Sequence, residues 1–163
     1  LLTLIDHLKL NMSIQSCYEI QDLIVLHQQL NYIPAGINHL NLNNLVLYNN
    51  DIRYLPAMDN LIHLKKLDLS YNHLESVPDL GNLINLTHLD ISNNKLIWLP
   101  ESINQLVKLR NLILSHNQLT KLPSINQLIE LRELYIDNNN IVSIPDYAGL
   151  NNLVFFNFGN NPL

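Results

Sequence analysis

The chain has 163 residues, 47% of them hydrophobic and 14% charged, with a net charge of −5 at pH 7. Nine Lys and Arg against fourteen Asp and Glu exclude the basic stripe of a nucleic-acid binder, and no apolar run approaches the ~18 residues of a membrane helix. The single cysteine, Cys17, leaves no internal disulfide and points to a reducing compartment, and no signal peptide is visible.

In chain order, residues 1–19 stand apart. Leu1, Leu4, Ile5 and Leu8 have helical spacing and predict a short amphipathic cap. A degenerate half-repeat, with Leu8, Asn11, Ile14 and Cys17 on its later positions, is the alternative. The run Ile14-x-x-Cys17-x-x-Ile20-x-x-Leu23 makes Cys17 a small core residue.

From Ile20 onward an apolar skeleton L-x-x-L-x-L-x-x-N-x-L recurs. Its clearest copy is Leu64, Leu67, Leu69, Asn72, Leu74. Copies begin at Ile20, Leu42, Leu64, Leu86, Leu109, Leu131 and Leu153, every 22 residues except for one unit of 23. Repetition at this period sets the architecture before any local reading does. Within each unit, x-L-x-L-x alternates and predicts a short strand: Leu67 and Leu69 point inward, while Lys66, Asp68 and Ser70 point outward. Three residues after the second inward position come Asn50, Asn72, Asn94, Asn117, Asn139 and Asn161, with Gln28 in the first unit. Amides in such a row satisfy buried backbone groups, so the ladder is structural. Pro34, Pro56, Pro78, Pro100, Pro123 and Pro145 then mark the start of a return segment with apolar residues three apart, which suits 3₁₀ turns or extended coil. Alignment of Leu99–Leu106 with Leu122–Leu128 makes Glu101 the extra residue of the longer unit and puts it on the outer loop.

This pattern resembles the leucine-rich repeat family over Ile20 to Leu163. The resemblance implies an α/β-type repeat solenoid: a curved horseshoe with parallel strands on the concave face and 3₁₀ or extended coil on the convex face. It implies a protein-binding scaffold, not an enzyme, with no cofactor. The Leu-Pro-x-x-Ile-x-x-Leu outer segment is similar to intracellular repeats, including bacterial ones. The Asn- and Ile-rich composition is similar to secreted effectors of intracellular bacteria. The expected location is therefore intracellular, either the bacterial cytoplasm or the host cytosol after secretion. One unit cannot offset the ~1–2 kcal/mol of backbone entropy per residue from its own burial, so stability must come from stacking. The ends at Leu1 and Leu163 read as those of a fragment, truncated at the C-terminus. That leaves two alternatives: the recognition part of a larger enzyme, or self-association through exposed array ends.

The concave face carries the candidate site. Ile24, Val46, Leu26 and Tyr48 form one apolar patch, and Ile113, Tyr135 and Phe155 another. Between them lies a polar stretch with Lys66, Asp68, His88 and Asp90. Aromatic anchors beside polar groups suit a protein partner of unspecified identity, with nucleic acid and membrane excluded. Asp68 and Asp90 lie on an open sheet and lack the buried cleft of an acid–base pair. His88, Asp90 and Ser92 supply triad residue types, but alternate strand residues are about 6.6–6.8 Å apart and no oxyanion hole is present. The seven histidines are scattered; His27 and His116, four strands apart at about 19 Å, cannot share a metal. The sequons at Asn11 and Asn85 are chance matches in an Asn-rich chain.

Overall fold

A computed structural model describes Asp6, Ser16 and residues 19–163. Apart from Asp6, Ser16 and Glu19, the cap expected over residues 1–19, Cys17 included, lies outside the described residues. Seven strands follow one another: β1 (Asp22–Ile24), β2 (Asn44–Val46), β3 (Lys66–Asp68), β4 (His88–Asp90), β5 (Asn111–Ile113), β6 (Glu133–Tyr135) and β7 (Phe155–Asn157). They form one parallel sheet in chain order, each strand in register with the next. At about 4.8 Å per strand the sheet extends about 29 Å along the array. The coils of this solenoid contain little helix.

The inward leucines build a single continuous core. Leu45, Leu67, Leu112 and Leu134 are fully buried, as are Leu47, Leu69, Leu114 and Ile136 at the second inward position. In the last unit Phe156 packs partly against this core, while Phe158 is 45% exposed at the end of the stack.

Immediately past each strand the chain turns through a left-handed residue: His27, Asn49, Tyr71, Asn93, His116, Asn138 and Asn160 have φ between 53° and 56°. Asn tolerates this conformation because its short amide can bond locally, which explains its prevalence there. The turn swings the following asparagine inward. Asn94 donates from Nδ2 to Leu69 O at 3.0 Å, one coil back, and to Ile91 O at 3.1 Å in its own coil, and accepts from Leu74 N–H at 2.9 Å. Asn50, Asn72, Asn117, Asn139 and Asn161 repeat the arrangement. The amide ladder is therefore structural, as read from the sequence. Gln28 departs from it: its longer side chain is exposed and donates back to Leu26 O at 3.0 Å.

Apolar residues three apart give consecutive i→i+3 bonds on the convex side, as in Leu83 N–H to Leu80 O (2.9 Å) and Leu86 N–H to Leu83 O (2.8 Å). Two coils carry a full 3₁₀ helix, Ala35–His39 and Glu101–Gln105. In both, two residues separate the proline from the next apolar residue, so one more turn closes: Ile37 N–H to Pro34 O and Ile103 N–H to Pro100 O. Glu101, the inserted residue, opens the second helix on the outer side as expected. Buried Gly81 of the preceding coil makes room for it, since a Cβ there would meet the Gln105 side chain and lie 3.1 Å from Ser102 Cβ.

Candidate binding face

All-parallel sheets are ordinarily covered on both faces. Here the core covers one face and the other stays open. Strand register aligns the outward residues into columns. The first runs Asp22, Asn44, Lys66, His88, Asn111, Glu133, Phe155; the middle runs Ile24, Val46, Asp68, Asp90, Ile113, Tyr135, Asn157.

The expected residues fall into three zones along the middle column. Ile24 is 59% exposed and pairs with half-buried Val46. Tyr48 stands slightly apart from them. It is held edge-on between His27 and Tyr71, with ring centroids 5.3 Å from each, so it belongs to an aromatic row at the rim. At the other end Ile113 pairs with Tyr135, and the Tyr135 and Phe155 rings lie 4.8 Å apart at 31°. Loss of hydration, then Glu133, raises the Tyr135 pKa above its ordinary value, so this hydroxyl stays neutral and can donate.

Asp68 and Asp90 sit side by side on β3 and β4, in a depression of about 120 Å³ that also touches Lys66, His88, Asn111 and Ile113. Each carboxylate is fixed from behind. Ser70 donates to Asp68 Oδ1 from Oγ (2.6 Å) and N–H (3.1 Å), and Ser92 does the same to Asp90 (2.7 and 3.0 Å). This corrects the outward placement of Ser70: it and its counterparts Ser92 and Ser115 in the next two coils are buried, at 3%, 6% and 8% exposure, because their hydroxyls turn to an acid instead of water. The pattern Asp-x-Ser at 68–70 and 90–92 was the available signal. Burial, opposed by the Ser92 bonds and reinforced by Asp68, leaves the Asp90 pKa raised. Among the described residues neither acid makes an ion pair. Burial, then Lys66 and Arg110, lowers the His88 pKa, so its ring is neutral near pH 7.

No catalytic hydrogen bond links His88, Asp90 and Ser92. The His88 ring nitrogen meets Thr87 Oγ1 at 2.9 Å, while Ser92 is bound to Asp90. Among the described residues no three His, Cys, Asp or Glu side chains gather as a metal site. The amide of Asn85 at the second sequon is engaged with Ile62 O at 2.8 Å and Lys108 Nζ at 2.7 Å. No helix among the described residues is long and apolar enough to cross a membrane.

Two surfaces escaped the sequence reading. Ile62, Ile84, Val107 and Ile129 form an exposed stripe on the convex side, 42–56% accessible. Each directly follows an inward leucine at the repeat spacing, which was the missed clue. A groove of about 410 Å³ also runs beside the left-handed turns, touching Asn49, Tyr71, His73, Asn93 and His116.

Family models for leucine-rich repeats match residues 62–119 and 107–149. Together they span more than half of the coils just described. The chain belongs to the leucine-rich repeat family. Among solved structures, this leucine-rich repeat array is similar to a leucine-rich repeat protein of Leptospira interrogans, with 32% identity and a TM-score of 0.75 over 93% of this chain and 46% of that one. It shares its fold with YopM, a leucine-rich effector protein of Yersinia pestis, with 22% identity and a TM-score of 0.62 over 97% of this chain and 52% of that one. The chain thus spans about half the length of each. No curated protein matches it in sequence.

Proposed function

We propose that this array is a protein-interaction scaffold that docks a partner on its concave strand face. The observation that carries the reading is the open parallel sheet. Its inner side holds the coils together, and its outer side displays Ile113, Tyr135 and Phe155 outside the buried core. Exposed aromatic and aliphatic groups framed by polar ones are typical anchors of protein interfaces. Leucine-rich repeat solenoids commonly use such extended surfaces for binding. Around the anchors, Asp68, Asp90, His88 and Lys66 set specificity, and Ile24, Val46 and Tyr48 extend the contact toward the N-terminal end. We assign no catalytic role to this chain. Its likeness to bacterial repeat proteins and its Asn- and Ile-rich composition support a bacterial origin and an effector role on a host protein.

Tyr135→Ala tests the reading. It should weaken partner binding by about 1–3 kcal/mol with an unchanged circular dichroism spectrum. Unaltered affinity would remove Tyr135 and its patch from the interface.

A further inference from the structure

The middle column has an internal order that the docking reading alone does not use. From the N-terminal end it presents two apolar residues (Ile24, Val46), two acids (Asp68, Asp90) and two apolar residues (Ile113, Tyr135), all in strict strand register. Across the first and middle columns and the residue two positions after the middle one, five carboxylates, Asp22, Asp68, Asp90, Glu133 and Asp137, stand with a single lysine, Lys66. The open face is therefore acidic, and at its centre Asp68 and Asp90 are paired directly across neighbouring strands.

That centre is unfavourable for the array by itself. Like charges directly opposite one another on neighbouring strands destabilise a sheet. Ser70 and Ser92 nevertheless lock both carboxylates in place through Oδ1, which leaves the second oxygen of each for a ligand. A guanidinium or ammonium group placed over both acids removes their repulsion and satisfies those oxygens. Nucleic acid and anionic lipid are repelled by the same charges.

The spacing then defines the ligand. The centre of the acid pair lies two strands from the centre of each apolar pair, about 10 Å. A polyproline-II segment rises about 3.1 Å per residue with three residues per turn, so this distance is three residues and returns the third side chain to the same face. We propose that the middle column takes a protein segment in the polyproline-II conformation with a lysine or arginine over Asp68 and Asp90 and an apolar side chain three residues away on each side. This rests on the reading of the strand face as the docking surface.

Selection of a random 12-residue phage-displayed peptide library on the unmutated chain provides the test. Bound peptides should be enriched in a basic residue with apolar residues at the third position before and after it. The best peptide, synthesised, should bind the Asp68→Asn/Asp90→Asn variant at least tenfold more weakly. That variant keeps the acceptor for each serine, and its fold is checked by circular dichroism. Replacing the basic residue of the peptide by Gln should have a matching effect, and the loss should shrink as salt rises. Recovery of no binder, or of binders without basic enrichment, would overturn the inference, as would equal affinity for the double variant. If such binders still lose affinity to Tyr135→Ala, only the basic chemistry falls. If Tyr135→Ala is also silent, the docking reading falls with it.

Discussion

Asn94→Ala in the middle of the array probes how the coils are joined. Its amide donates to Leu69 O and Ile91 O, and each of these carbonyls also receives a second amide, from Asn72 and Asn117 respectively. Both carbonyls therefore keep one partner in the variant, and each lost bond costs about 0.5–1.5 kcal/mol. The buried Leu74 N–H, bound to Asn94 Oδ1 at 2.9 Å, is left with none, at about 1–3 kcal/mol. The total is roughly 2–6 kcal/mol. Asn161→Ala removes the same three kinds of bond from the last coil, where the amide is half-buried and water can replace it; about 1 kcal/mol is expected. Urea denaturation of both variants measures the contrast. The central variant should also show a reduced m-value as the two halves of the array uncouple. Hydrogen exchange at Leu74 should accelerate in Asn94→Ala alone. Equal destabilisation by the two substitutions, or a cost below about 1 kcal/mol for the central one, would refute the stitching argument.

Asp90→Asn should stabilise the array near neutral pH while weakening a basic ligand. The Asp90 pKa is raised by burial and by Asp68, against the Ser92 bonds and Lys66, so the folded state holds the proton more tightly than the unfolded one. Its contribution favours folding below the ordinary carboxylate value and is lost as pH rises toward the raised one. At about 5 Å the Asp68 repulsion alone is about 0.8 kcal/mol even at the dielectric of water. The advantage of the Asn variant, read from urea midpoints, should therefore grow from pH 3 to pH 7, and a constant difference would contradict it. His116→Asn relieves a left-handed residue with φ 56° and should add about 0.5–1 kcal/mol, seen as a higher Tm; a lower Tm would show that the His116 ring has a role the backbone argument ignores.

The core was legible because each coil repeats the same instruction: seven copies of one leucine spacing fix which side chains point inward, and parallel stacking then dictates strand order and register. Glu101 was placed correctly because a neighbouring coil supplied the comparison. Side-chain hydrogen bonding was harder to read. Ser70 and Ser92 have the period of exposed residues, yet each turns to the aspartate two positions earlier, a choice that depends on rotamers and not on polarity. Gln28 occupies a ladder position by alignment, but its longer side chain folds back on its own coil. The convex stripe of Ile62, Ile84, Val107 and Ile129 went unread because three-residue spacing was counted only at inward positions.

The claim on which the functional reading depends is that the strand face, and not the convex side, meets the partner. A photo-cross-linking amino acid placed at Ile113 on the strand face, and separately at Ile129 in the convex stripe, compares the two directly in a native lysate. A discrete cross-linked product from position 113, lost in the Tyr135→Ala background and not formed from position 129, is the expected result. A product formed from position 129 alone would contradict the reading and move the interface to the outer side of the coils.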